Sequence, residues 1–360
     1  MTVSFELGDR SWKLSCSDGV RSPSRYSVNA GDQVTVLDCL DKARARCGLD
    51  PQAKVHTCYE AGRDGWWLHR WLREQGIDNI VVDSSSIEVN RRAKRAKTDR
   101  LDADKLLALL LRFHRGERRV WSVVHEPTAK QEDARRTHRE IGRLIHERIA
   151  HTNRIGSLLV MHNLRPGRIG GRTWQGWWEG HCKQVPPLLR AEIEREYARL
   201  VLAKQQLNAL ETERRHEVAE GAHPVVALLA KLRAIGPRGA WILDKELFGW
   251  RRFANRRELA GCLGLAPTPY ASGTSEGEQG ISKAGNKRSR ALLVELAWRW
   301  LKFQPDSALS QWFHLRFGIA GKRSRRIGIV ALARRLAIAL WRYIECGEIP
   351  AGATLKTVEA

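Results

Sequence analysis

The order of sequence patterns over the first 113 residues constrains this chain most. Val3 to Leu7 alternates in hydropathy like a strand and stops at Gly8-Asp9, and Ser11 to Ser15 returns as a second strand after a tight turn. Arg25 to Val28 reads as a third strand. Gly31 and Asp32 open a helix through about Cys47, with Val34, Leu37, Leu40 and Ala43 on one face. Lys54 to Tyr59 is a strand leading into Glu60, and Gly65 to Gln75 is a helix with Trp67, Leu68, Trp71 and Leu72 inward. Asn79 to Val82 is a short buried strand. A basic stretch from Arg91 to Lys97 precedes a helix from Thr98 to about Phe113.

Three strands in a meander, then helix, strand, helix, strand, helix, is the order of the ribonuclease H-like (RuvC-like) α/β fold. Other folds also place a three-strand meander before βα units. Charge narrows the partner. The 360 residues carry 62 Lys and Arg against 40 Asp and Glu, a net +22. A positive excess of that size draws polyanions, nucleic acid foremost. An anionic membrane is the competing partner. However, no run of about 18 apolar residues occurs, and the first residues, MTVSFELGDR, do not resemble a signal peptide. The seven cysteines, at 16, 39, 47, 58, 182, 262 and 346, form no CxxC pair. They fit a reducing cytoplasm better than a zinc ribbon or a disulfide framework.

Four acids stand at the ends of these elements. Asp9 follows the first strand and Glu60 ends the fourth, while Asp99 and Asp102 open the last helix, spaced to share one helical face. Asp104, two residues on, is expected to point elsewhere. Divalent ions that assist phosphoryl transfer take hard oxygen ligands from several segments, and Mg²⁺ (or Mn²⁺) is the expected ion. Taken singly, Asp99 reads as a helix cap and Glu60 as a solvated strand end. The ordered set of four carries the catalytic reading.

Ala129 to about Leu159 lacks proline and carries a helical stripe of Ile141, Leu144, Ile145, Arg148 and Thr152. Pro186 to about Val218 resumes it with Ile193, Tyr197, Leu200, Ala203, Leu207 and Leu210, as an antiparallel pair or coiled-coil arm. Between them, residues 165–180 are rich in Gly and Trp, with Trp174, Trp177 and Trp178 suited either to stacking on bases or to a buried plug. Further on, Ile235-Gly236-Pro237-Arg238-Gly239 reads as a helix-hairpin-helix-like turn, or equally as a plain connector. A helix from Arg256 to Leu263 leads to Gly264-Leu265-Ala266-Pro267 and then to a polar, glycine-rich loop holding Ser272 and Ser275. Ile281-Ser282-Lys283-Ala284-Gly285-Asn286 closes it, and a helix runs from Lys287 to about Lys302. Composition alone does not choose among Ser272, Ser275 and Ser282. A basic cluster at Lys322, Arg323, Arg325 and Arg326 precedes a last helix from Ile327 to about Glu345.

Two blocks carry a family resemblance: Lys97-Thr98-Asp99 with Asp102-Ala103, and Gly264-Leu265-x-Pro267, Ser272-Gly273, Ile281-Ser282-Lys283-x-Gly285-Asn286. In that order and at that distance the chain resembles the DEDD insertion-sequence transposases, also described as bridge-RNA-guided recombinases. The resemblance implies a RuvC-like domain over 1–125, a helical arm over 126–222, a mainly α transposase domain over 223–350 and a tail from 351 to 360. It implies that Asp9, Glu60, Asp99 and Asp102 hold metal and that Ser272 is the nucleophile, cutting and rejoining DNA through a phosphoserine. It further implies donor and target duplex DNA, a structured guide RNA, and a dimer of dimers. Departures exist. Gly8 directly precedes Asp9 where the family tends to place an apolar residue between them, and Ser289 stands where the family usually shows leucine. Lys94, Arg95, Lys97, Arg238, Lys283, Asn286, Lys287, Arg288 and Arg290 are the candidate nucleic-acid contacts, each of which could equally be a solvated surface group. The alternative activity is that of a metal-dependent hydrolytic nuclease of the Holliday-junction resolvase type, with Ser272 a turn residue.

Overall fold

The computed structural model describes residues 1–87, 99–272, 275–319 and 321–356, with the backbone alone described at 99–100, 269–272 and 275–279. The chain forms two compact units, Met1–Glu126 and Pro127–Ala360. Among the described residues no helix is long and apolar enough to cross a membrane.

The first unit is built on a five-stranded sheet of order β3-β2-β1-β4-β5. Strands β1 (Thr2–Leu7), β2 (Ser11–Ser17) and β3 (Ser24–Asn29) form the antiparallel meander, and β4 (His56–Glu60) and β5 (Asp78–Val82) run parallel to β1. Strand alternation sends Val3, Phe5, Trp12, Leu14, Tyr59 and Val81 to one face, where they pack with α1 (Gln33–Arg46) and α2 (Trp67–Glu74). Asp32 caps α1 by accepting from the Thr35 amide at 3.0 Å. The opposite face carries Cys58 and Val82 against Leu106, Leu109 and Leu110 of α3 (Asp99–His114).

In the second unit, the helix expected from Ala129 is interrupted. A short α4 (Ala129–Asp133), closed by a Thr128–Gln131 capping box, gives way at Ala134 and Arg135 to α5 (Arg136–Val160). The buried Arg135 places its guanidinium 4.8 Å from the centre of the Trp250 ring. A short α6 (Trp174–His181) follows, and then α7 (Pro187–Ala219). Ile141 and Leu144 pack on Ala203 and Leu207, and Ile155 and Leu159 on Ile193 and Leu200, so α5 and α7 are antiparallel. Two links, His151 to Glu196 at 2.6 Å and Arg154 to Glu192 at 2.7 Å, join the same pair. Trp174 is 2% exposed and stacks with both Trp178, at 5.9 Å, and Trp177, at 5.6 Å. The tryptophan-rich segment is therefore an apolar plug in the helical pair.

The remaining core joins α8 (Pro224–Ala230), α9 (Pro237–Leu243), α10 (Arg256–Leu263), α11 (Lys287–Phe303), α12 (Ala308–Phe317) and α13 (Lys322–Cys346). Trp300, fully buried, donates its indole N–H to Ser307 Oγ at 2.8 Å. The segment expected as a polar loop is instead a hairpin, β6 (Pro267–Ser272) and β7 (Ser275–Ile281). The last helix begins five residues before its expected start, so the basic cluster at 322–326 forms its first turn. Residues 351–356 are not a loose tail. Leu355 bridges to Leu232, and the Lys356 ammonium donates to the carbonyls of Ala230 at 2.6 Å and Ile235 at 2.8 Å. Those bonds satisfy the α8–α9 connection as a packed connector.

Candidate active site

Two parallel strands of the first unit set two acids side by side, and one helix crosses the same end. In the β1–β4 register Ser4 lies beside Cys58 and Phe5 beside Tyr59, so Glu6 and Glu60 follow next to each other at the strand ends. Period two places both on the face covered by α3. Ser4, two residues before Glu6, donates its hydroxyl to the Ala103 carbonyl at 2.6 Å. At the far end of α3, the His114 ring lies 4.5 Å from that of His56, the first residue of β4, at a tilt of 50°. Helix α3 therefore runs antiparallel to β4, and its first turn lies at the Glu6–Glu60 end.

The two flanks of α3 separate Asp102 from Asp104. Asp104 accepts from Ser15 Oγ at 2.6 Å and from Arg25 Nε at 3.0 Å, which ties it to β2 and β3. It is a packing group, as its spacing implied. Asp102, half-buried, shares its flank with Leu106 and Leu109, which pack towards β4 and β5. Asp99 is the first residue of α3, and its side chain lies outside the described residues.

Asp9 is not placed as the sequence suggested. Strand β1 ends at Leu7, and Asp9 sits in the turn to β2, its side chain 79% exposed and paired with Arg63. Asp9 and Arg63 form the rim of a cleft of about 300 Å³ at the strand ends, which Glu6 and Glu60 also line. The acid that the strand presents beside Glu60 is Glu6. Sequence reasoning passed over it because it fell within an alternating strand, yet it is the one charged residue of β1. Across the β1–β2 pair Glu6 faces Lys13, whose ammonium donates to Ser27 Oγ at 2.6 Å.

Carboxylate oxygens from two strands and a helix are the donors that Mg²⁺ or Mn²⁺ takes. Among the described residues no three His, Cys, Asp or Glu side chains come close enough to hold an ion. The donor chemistry therefore suits the metal, while a closed ligand set is not formed by the described side chains.

In the second unit, Ser272 is the last residue of β6 and pairs in register with Ser275, the first residue of the returning strand. Its side chain, like residues 273 and 274, lies outside the described residues, as do Lys94, Arg95 and Lys97 in the first unit. The base of the hairpin is well defined. Gly264 has φ +63° and Gly285 φ +92°, and a Cβ at either would run into backbone, Ala284 O at 1.7 Å or Cys262 O at 2.3 Å. Only glycine fits these crossing segments. Backbone amides of Ser282, Lys283 and Asn286 donate to the carbonyls of Ala266, Gly264 and Cys262 at 2.9, 3.1 and 2.8 Å. The glycines of the sequence motif thus clamp the root of the hairpin that carries Ser272.

Behind this root lies a buried charge. Glu246, 1% exposed, sits in a π-helical turn, Asp244–Phe248. It accepts from His138 Nε2 at 2.8 Å, from Arg139 at 2.7 and 3.0 Å, and from Asn286 Nδ2 at 3.1 Å. Burial pushes the Glu246 carboxyl up, but the His138 and Arg139 hydrogen bonds outweigh it and hold it well below the ordinary carboxylate range. Asn286 also caps α11, accepting from the Ser289 amide at 3.1 Å. Arg290 donates to the Leu263 carbonyl at 2.9 Å. Asn286 and Arg290, two candidate nucleic-acid contacts, thus serve the fold, whereas Arg238, Lys283, Lys287 and Arg288 are exposed. Nothing in the sequence pattern marked Glu246, which stands in the run Asp244-Lys245-Glu246 between apolar residues.

Known proteins match this sequence. Residues 226–311, from α8 into α12, match the model of the transposase IS116/IS110/IS902 family. A Sinorhizobium fredii protein named as transposase y4rJ is 40% identical over 376 residues, covering 99% of this chain and 94% of its own length. The Coxiella burnetii transposase for insertion sequence element IS1111A is 25% identical, over 79% of this chain and 75% of its own. The Yersinia enterocolitica transposase for IS1328 is also 25% identical, over 61% and 65%. With a relative of such identity along nearly its whole length, and the family's own domain spanning the clamped hairpin, the chain belongs to the IS116/IS110/IS902 family of insertion-sequence transposases.

Proposed function

We propose that this transposase cuts and rejoins DNA with two sets of groups, the carboxylates at the end of the β1–β4 pair and the hydroxyl of Ser272. The observation that carries the reading is the β1–β4 register, which sets Glu6 beside Glu60 on the face covered by the first turn of α3. Glu6, Glu60, Asp99 and Asp102 form the acid set in this reading, with Glu6 in the role expected of Asp9. The first unit is then a ribonuclease H-like, RuvC-like nuclease domain, the α5–α7 pair an arm for assembly as a dimer of dimers, and the remainder the transposase domain.

Glu6, Glu60, Asp99 and Asp102 would hold Mg²⁺ or Mn²⁺, which when bound supplies electrophilic polarisation of a scissile phosphate. The protein's own groups do the rest. The Ser272 hydroxyl attacks phosphorus as its proton passes to a carboxylate or water. The P–O bond to the leaving 3′-oxygen breaks, and that oxygen takes up a proton. The phosphoserine ester retains the bond energy, and a strand end from the partner DNA displaces Ser272 to complete the exchange. The excess of cations supports backbone binding to donor and target duplexes. Site choice by a structured guide RNA completes the reading. A strand-exchange assay with the RNA transcribed from the gene's flanks tests it. Glu60→Gln should abolish both cleavage and joining while leaving DNA binding intact. Activity retained in Glu60→Gln would refute the carboxylate site.

A further inference from the structure

A large cleft in the second unit lies away from the Ser272 end of the hairpin. It holds about 1370 Å³, above the roughly 300–1,000 Å³ of small-molecule sites. An occupant of that size is a segment of a polymer. Its floor is α13. One row of that helix reads Arg326, Val330, Arg334, Ile338, Arg342 at intervals of four, and the neighbouring row contributes Arg323, Ile327 and Arg335. Arg326, Arg334 and Arg342 are eight residues apart, so they mark a track of roughly 24 Å along the helix. The walls are α12, through Leu309 and Trp312, and the root of the hairpin, through Leu265, Ile281 and Lys283. Arg335 lies over the Trp312 ring, 4.1 Å from its centre.

The lining counts nine Lys or Arg side chains against one carboxylate, Glu348, so the occupant is an anion. Among the described residues none of the nine forms an ion pair with a carboxylate; the ion pair nearest in sequence to the α13 end, Arg252 with Glu345, lies outside the lining. The surface between the cations is aliphatic, with Ile327 55% exposed. A duplex offers only phosphate and sugar to such a trough and leaves its floor wet. An unpaired strand offers phosphates to the arginines and base faces to the aliphatic floor and the Arg335–Trp312 stack, as single-strand grooves do.

We infer that the α13 trough binds an unpaired nucleotide strand, with its phosphates on the arginine rows and its bases on the aliphatic floor. Since the trough wall is the root of the Ser272 hairpin, a strand held there is anchored about 17 Å of strand β6 away from the residue at its end. The inference needs neither the metal nor the serine chemistry, so it stands or falls apart from them.

The full-length protein in EDTA is titrated with labelled single-stranded RNA, single-stranded DNA and duplex DNA of one length, at several salt concentrations. Arg334→Ala with Arg342→Ala should weaken single-strand binding tenfold or more and lower its log–log salt slope by about 1.4, two phosphates at ~0.7 each. Duplex affinity should stay within twofold. Ile338→Asn should weaken single-strand binding without changing the slope. A loss confined to RNA or to DNA identifies which strand occupies the trough. Equal losses for duplex and single strands would overturn the inference in favour of a duplex-backbone surface. Unchanged affinity for all three would also overturn it, and an altered oligomeric state in that case would make the trough a contact between copies.

Discussion

At the scale of single residues, one carboxylate carries the proposed chemistry of the first unit and another the stability of the second. Glu6 is the only charge on β1, and register sets it beside Glu60. Glu6→Gln should therefore lower strand exchange on the order of 100-fold or more, the scale of losing one group that stabilises transition-state charge. Asp9→Asn, which removes only an exposed pairing with Arg63 at the rim, should keep most activity. Measured rates in the opposite order would return Asp9 to the site. Glu246 is a different case, a buried charge met by His138, Arg139 and Asn286. Glu246→Ala should cost about 3–5 kcal/mol, because it leaves those donors without their acceptor. The pH dependence follows from its depressed carboxyl. Stability from this group is fully present above the ordinary value of 4.5 and is lost as pH falls from there towards the folded value. Thermal melts between neutral pH and pH 3 should show a steeper acid decline in the wild type than in Glu246→Gln.

At the scale of elements, the clamped root of the hairpin is where sequence and geometry meet most tightly. Gly264→Ala or Gly285→Ala forces a side chain into a positive φ and into a facing carbonyl, at a cost of at least ~2 kcal/mol by the strain alone and the clash together. Gly261→Ala, on the exposed side of α10 with no atom near its would-be Cβ, should be neutral or stabilising by about 0.5 kcal/mol. Circular-dichroism melts of the three variants separate the outcomes. The strands and helices of the first unit were legible because each buries one regular face, such as Val3 and Phe5 on β1 or Leu106 and Leu110 on α3. The hairpin at 267–281 was not, because its strands carry Pro, Ser, Glu and Gly in place of an apolar alternation. Its pairing is imposed from outside by the glycine crossing. The break between α4 and α5 left no proline or glycine to mark it, since it depends on Arg135 reaching Trp250, more than a hundred residues away. The basic start of α13 read as a cluster between elements because charge conceals helical periodicity where no apolar stripe accompanies it. Of the proposed acid set, the helix-start pair Asp99 and Asp102 was nameable from spacing. Glu6 was not, because choosing between two acids three residues apart requires knowing where β1 ends and what it lies beside.

At the scale of the whole molecule, family membership establishes a transposase, and the groups of the proposed chemistry lie on segments far apart in sequence. The carboxylates belong to one compact unit and Ser272 to the other. Each part alone is chemically incomplete for strand transfer: acids can assist hydrolysis, and a hydroxyl needs activation. A hydrolytic nuclease would need only the first part. The decisive measurement is the trapping of a protein–DNA adduct. Full-length protein, Mg²⁺, RNA transcribed from the gene's flanks and end-labelled DNA are combined and resolved on a denaturing gel, with the adducted peptide identified by mass. The expected result is a covalent band whose mass shift maps to Ser272, absent in Ser272→Ala and in Glu6→Gln and retained in Asp9→Asn. Cleaved DNA without any adduct, equally abundant in Ser272→Ala, would contradict the two-part site and leave a metal-dependent hydrolytic nuclease.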